Sequence, residues 1–294
     1  MAQTNREQWL RERSVLSHFT LDRMHPIDDR VRLASENGFG SIGLFVGQFL
    51  ELEREGWGTS RISELLDRYE MKISEIEVIP GLGREGLGGD RAAVWEDAAF
   101  RIADAFGCRY LQVIGSAGDR VAAAKAFGSL CDRAADHGLV VGLEFVPFTD
   151  IVSAGDSRRI VEDADRPNAG ICVDVWHVER GTRDLDELAE IPGELITGVQ
   201  VNDGSIEPAD PDYYTDCLAH RVAPGEGEMR VAEILEIVRA SGCSVPWSVE
   251  APSTLGWASP DDHVELNNIW DVIRIGIISL SVSAKGLIKN VAKL

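Results

Sequence analysis

A chain of 294 residues that is 44% hydrophobic and 27% charged has ample material for a folded core. Its 29 basic and 49 acidic residues give a net charge of −20, which repels a phosphate backbone and excludes nucleic acid as a partner, leaving room only for a local basic pocket that takes one small anion.

The polar start MAQTNREQWLRER has no secretory apolar stretch. Short β-rich runs then alternate with amphipathic, helix-favouring stretches as far as about Leu280, the pattern of parallel strands joined by helical crossovers. Strands are predicted at 14–20, 41–46, 72–79, 110–115, 140–146, 169–175, 196–201 and 246–251. Helical stretches lie between them: IDDRVRLASENG, RISELLDRYE, RAAVWEDAAFRIADAFG, VAAAKAFGSLCDRAADHG, DSRRIVEDA, LDELAEI and RVAEILEIVRASG, with DDHVELNNIWDVIRIGI last. Several close on a glycine suited to the position after a helix end. Eight strand–helix pairs in little more than the usual length of about 250 residues predict a single-domain (β/α)8 TIM barrel over 1–280. A doubly wound open sheet is the alternative, but the first strand-to-helix turn lacks a glycine-rich phosphate fingerprint. Residues 281–294 read as a short C-terminal helical extension whose Lys285, Lys289 and Lys293 share one face, a stripe suited to packing or to subunit contact in a homo-oligomer.

Five cysteines without a CxxC pair (Cys108, Cys131, Cys172, Cys217 and Cys243) read as reduced thiols of a cytoplasmic protein. The most apolar late run, VIRIGIISLSVSA, carries Arg274 and is too short for the about 20 residues of a membrane span, so no membrane partner is expected.

The stretch GICVDVWHVERG sets an aspartate, Asp174, at the end of an apolar strand and a histidine three residues on. As one motif it could be a helix cap followed by a loop histidine. It is not alone: Glu144, Gln200 and Glu250 stand late in the neighbouring predicted strands. In a β/α barrel those strand ends form the cup where catalytic groups sit. Acidic side chains there are costly unless paired or coordinated, and three carboxylates with one amide oxygen make a hard donor set suited to Mg²⁺ or Mn²⁺. His18, Glu77 and Gln112 could line the same cup or serve as hydrogen-bonded structural groups, and Trp176 could wall a sugar or cyclohexane ring or pack against the barrel. GLGREGLGGD (81–90) is suited to a mobile lid but lacks the lysine and serine of a nucleotide loop, and Glu226 is placed in a turn that shapes the rim.

The motifs GLEFVP, VDVWHVERG, VQVNDG, RVAPGEG and WSVEA resemble those of the sugar phosphate isomerase/epimerase family, the xylose-isomerase-like TIM barrels. The resemblance implies one divalent metal held by Glu144, Asp174, Gln200 and Glu250. Gln200 departs from the histidine that most epimerases carry and is closer to the 3-dehydroshikimate dehydratase branch, which implies active-site roles for His177 and Arg221. Two enzyme readings follow. One is a metal-dependent isomerase or epimerase of a ketose, sugar phosphate or polyol-derived ketone, with Glu144 and Glu250 moving protons on either face. The other is a dehydratase of a cyclic keto acid or inosose, with His177 as acid or base and Arg221 on a carboxylate or oxyanion. A catalytically reduced barrel serving as a subunit is the third, which the intact metal quartet opposes.

Overall fold

The computed structural model describes residues 8, 11–21, 25–86, 89–115 and 118–252. The expected eighth helix, the C-terminal extension and its lysine stripe lie outside these residues.

Eight parallel strands close into one barrel in chain order: β1 (Ser14–Leu16), β2 (Ser41–Phe45), β3 (Lys72–Ile79), β4 (Tyr110–Ile114), β5 (Val140–Glu144), β6 (Ala169–Asp174), β7 (Ile196–Val201) and β8 (Trp247–Val249). The barrel is sealed by β1 against β8, with Val15 beside Ser248. Around it run α1 (Ile27–Glu36), α2 (Val46–Arg54), α3 (Thr59–Arg68), α4 (Gly89–Phe106), α5 (Arg120–Ala135), α6 (Ala154–Ala164), α7 (Val175–Arg180), α8 (Leu185–Ala189), α9 (Tyr213–Ala219) and α10 (Val231–Ala240).

Each strand obeys the two-residue period of a pleated chain. Val141, Leu143, Ile171, Val173, Val199 and Val201 point outward and are buried beneath the helices. The opposite set faces the lumen and is strongly polar: Glu75, Glu77, Gln112, Glu144, Asp174, Gln200 and Ser248. Small residues make room for the large ones. A β-carbon at Gly198 would lie 2.0 Å from the Tyr110 hydroxyl, so glycine is what lets that ring cross the lumen.

Local chemistry sets the ends of the elements. Ser153 and Asp156 form a reciprocal capping box on α6, and the Asp119 carboxylate accepts the Ala122 N–H at the start of α5. β1 is shorter than expected. Ser17 accepts the Phe19 N–H and starts a 3-10 turn at His18–Thr20, and Glu77 accepts the His18 N–H that a longer strand would have used. β8 likewise stops at Val249, so Glu250 follows the strand rather than ending it.

Candidate active site

Barrel closure gathers the six residues expected to bind metal or substrate at the C-terminal rim. Glu144 ends β5, Asp174 ends β6, Gln200 is the penultimate residue of β7, and Glu250 follows β8. His177 lies in α7 and Arg221 in the loop after α9. All six side chains are buried.

The tightest group differs from the expected quartet. Glu144, Asp174 and His177 each offer a ligand atom, and these atoms lie within 4.8 Å of one another. His177 Nε2 is 3.1 Å from Glu144 Oε1 and 3.8 Å from Asp174 Oδ2. Its Nδ1 is 2.8 Å from the Tyr213 hydroxyl, and burial pushes the Tyr213 phenol well up, so it keeps its proton. Glu250 joins through Arg221, whose Nη1 is 2.8 Å from Asp174 Oδ2 and 3.5 Å from Glu250 Oε2. Gln200 joins through Gln112, whose Nε2 donates to Glu144 Oε2 at 2.7 Å and to Gln200 Oε1 at 3.2 Å.

Asp174 serves as both helix cap and site residue. Its Oδ1 accepts the Trp176 N–H and the Asn202 amide, each at 2.7 Å, which leaves Oδ2 turned toward Arg221 and His177. Burial alone would raise this carboxyl, but the Arg221 guanidinium, His177 and the Asn202 bond together hold it below the usual carboxylate range. Glu250 goes the other way: burial pushes its carboxyl well up against the pull of Arg221, and Asp174 and Glu144 push it further. Three buried acids thus converge at one rim around a single guanidinium and one imidazole. Their hard oxygen donors suit a divalent cation, whose charge would also favour the ionised form of Glu250, so the residues present fit such an ion.

Arg221 is held by the protein at each of its three nitrogens. Nε donates to the Cys217 carbonyl at 3.0 Å, Nη2 contacts Cys217 Sγ at 3.0 Å, and Nη1 serves Asp174 and Glu250. Its ring neighbour is Trp176, 5.2 Å away, which is fully buried and packs under the site rather than walling the cavity. Asp203 secures the loop: its carboxylate accepts the N–H groups of Gly204, Gly225 and Met229 while its backbone bridges to Val222, so the turn that contains Glu226 is tied to the end of β7.

Above the acids lies a cavity of about 300 Å³ whose lining includes Gln112, Glu144, His177, Arg221 and Glu250. The rest of the lining combines aromatic residues, Phe19, Phe45, Trp95, Phe148 and Tyr214, with Arg91 and aliphatic side chains such as Val78, Ile114 and Val146. A larger cavity of about 880 Å³ opens at the other end of the barrel, beside Lys72 and Glu75. No expected site residue lines it, and convergent donors identify a site better than volume does. The glycine-rich loop after β3 is pinned over residues 84–85. The buried Glu96 receives both Arg84 and Arg133, and Glu85 pairs with Arg133, so this part of the loop does not fit the expected mobile lid. His18 is buried among Phe19 and Phe45, and burial followed by Arg30 lowers its pKa well below the usual value, which keeps it neutral.

Sequence reasoning missed Asn202, Tyr213 and Asp203. Asn202 had a signal, because it stands two residues after Gln200 and the strand period puts both on one face. Tyr213 had none, being 36 residues from its partner.

The chain matches the family model described as Xylose isomerase-like TIM barrel over residues 31–266, and it belongs to that family. A 3-dehydroshikimate dehydratase of Pseudomonas aeruginosa is 28% identical over 197 residues, which are 67% of this chain and 27% of that protein. This chain therefore matches only about a quarter of that relative's length. An inosose isomerase of Halalkalibacterium halodurans is 28% identical over 123 residues, 41% of this chain and 42% of that one. Among solved structures, that of the IolI protein with a zinc atom aligns at a TM-score of 0.74 and 15% identity over 91% of this chain and 97% of the other, a likeness of fold. Among the described residues no helix is long and apolar enough to cross a membrane.

Proposed function

We propose that this xylose isomerase-like barrel is a divalent-metal-dependent enzyme that takes a proton from the carbon beside the carbonyl of a small hydroxylated ketone, and that it completes turnover by expelling water, as a dehydratase. The observation that carries this reading is His177, held at the cavity wall between Glu144 Oε1 and the Tyr213 hydroxyl. The protonated phenol donates to Nδ1, which leaves the imidazole proton on Nε2. Hydroxide leaves readily only when an acid supplies a proton, and Nε2 of His177 supplies it here, regaining a proton from Glu144 once that carboxylate has taken one from the carbon. Glu144, 3.1 Å away, is the adjacent base for the carbon acid.

Glu144, Asp174, Gln200 and Glu250 would hold the ion, with Mn²⁺ or Mg²⁺ suited to their oxygens, and when bound it would polarise the carbonyl and stabilise the charge that develops there. Arg221 orients Asp174 and Glu250 within that set, Gln112 orients Glu144 and Gln200, and the aromatic walls exclude water from the reacting carbon. The dehydratase relative supports this reading. A second reading, isomerase or epimerase, draws support from the inosose isomerase relative and from Glu144 and Glu250 both lining the cavity, two carboxylates able to serve opposite faces of one carbon.

Mass spectrometry in D2O, with Mn²⁺ or Mg²⁺ supplied, tests both against keto sugars, inososes and dehydroshikimate. Loss of one water supports the dehydratase. Deuterium uptake without loss of water moves the assignment to the isomerase or epimerase, and neither change with any of these ketones rejects the proposal.

A further inference from the structure

The cavity has one cation that the chemistry proposed above does not use. Arg91, near the start of α4, lines the cavity with its guanidinium carbon 4.3 Å from the centre of the Trp95 ring. Among the described residues no carboxylate lies within ion-pair distance of it, whereas nearby arginines are paired: Arg84 with Glu96 and Asp97, and Arg101 with Glu53. In a chain of 49 acidic and 29 basic residues a cation left open beside a pocket stands out.

We infer that Arg91 and Trp95 recognise a carboxylate on the substrate, which makes that substrate an anionic hydroxylated ketone rather than a neutral sugar or inosose. This rests on the ketone chemistry proposed above. The other two basic side chains in the lining are committed, Arg221 to Asp174, Glu250 and Cys217 and His177 to Glu144 and Tyr213. The acids around them repel an anion, so an anionic substrate needs its countercharge elsewhere. Arg91 supplies it at the aromatic side. Its guanidinium sits over the indole, and its planar fork can donate two parallel N–H bonds to a carboxylate. Trp95 continues the wall into Phe45, 5.2 Å away edge to face, and Phe45 into Phe19, also at 5.2 Å, which gives the apolar face of a ring a surface to lie on.

Isothermal titration of the full chain with shikimate and its methyl ester, a ring carboxylate and its neutral counterpart, tests the subsite at low salt. The wild type should bind the acid about tenfold tighter than the ester, the strength of one charge-assisted contact. Arg91→Gln should bring the two to parity at unchanged melting temperature, and Arg91→Lys should keep part of the preference. Equal affinity in the wild type, no binding of either compound, or an acid preference that survives Arg91→Gln overturns the inference. An Arg91-dependent preference in a protein that exchanges no deuterium with any ketone keeps the subsite and removes the chemistry. Exchange with a neutral inosose that is indifferent to Arg91→Gln keeps the chemistry and removes the subsite.

Discussion

Arg221 Nη1 stands 2.8 Å from Asp174 Oδ2 inside the barrel rim, although 47 residues separate the two in the chain. Both side chains are buried, and the same nitrogen reaches the Glu250 carboxylate. The guanidinium is thus a tie between the ends of β6 and β8, and the loop that carries it is itself fastened by Asp203.

Removing that tie leaves a buried carboxylate without its cation. Arg221→Ala should therefore cost about 3–5 kcal/mol of stability, the usual penalty for breaking a buried pair from one side. Combining Arg221→Met with Asp174→Asn should recover much of the loss, because both charges are then gone. Urea unfolding of the wild type, Arg221→Ala and the double variant measures this, and a loss below about 1 kcal/mol for Arg221→Ala would show the pair to be incidental.

Metal binding should register as stability before any substrate is known. At a free Mn²⁺ concentration 100 times the dissociation constant, the chelator-stripped protein should gain about 2.7 kcal/mol. Asp174→Asn should lose most of this gain. Gln200→His should keep it while shifting preference toward Co²⁺ or Zn²⁺, because nitrogen replaces a neutral oxygen donor. Thermal melts across a metal series decide the point, and an unchanged metal profile would remove Gln200 from the ligand set.

Tyr213→Phe deletes the hydroxyl on His177 Nδ1 and keeps a ring against Phe148, whose centroid is 5.6 Å away. One hydrogen bond's worth of orientation should be lost, lowering kcat about tenfold with little change in KM. His177→Ala should lower kcat by about 10²- to 10⁴-fold with bound metal retained. Steady-state kinetics paired with metal analysis separates the two, and normal kcat in His177→Ala would return this residue to a structural role.

Glu77 gives a pH signature independent of turnover. Burial raises its carboxyl to about 7 from 4.5, against the opposing bonds from the His18 N–H and the Ser17 hydroxyl. The folded state therefore holds this proton more tightly than the unfolded chain. The contribution of Glu77 to stability is greatest below about pH 4.5, falls as pH rises toward 7, and is level above that. Glu77→Gln, whose amide can still accept from His18 and donate to Ser17, should be more stable than the wild type by an amount that grows over this window to on the order of 3 kcal/mol. A stability difference that does not vary between pH 4 and 8 would contradict the assignment.

The sequence by itself determined the eight strands and the polar rim. Parallel strands buried on both faces must be apolar outside, so each acid or amide within such a run marks a lumen-facing position. With a period of two, Glu144, Asp174 and Gln200 could be set at one end of the barrel before any coordinates. The short helices at Val46–Arg54, Val175–Arg180 and Tyr213–Ala219 were not legible. The latter two span less than two turns and are set by single capping bonds, from Asp174 to Trp176 and from Asp212 to Thr215, rather than by a long periodic face. Only the tertiary structure decided which partners the rim residues take. Arg221 closed on Asp174, Tyr213 on His177 and Gln112 on both Glu144 and Gln200, and aromatic residues from separate elements met in one wall beside an open Arg91. Those pairings join residues tens of positions apart, so they come from barrel closure, which fixes distances that no local pattern encodes.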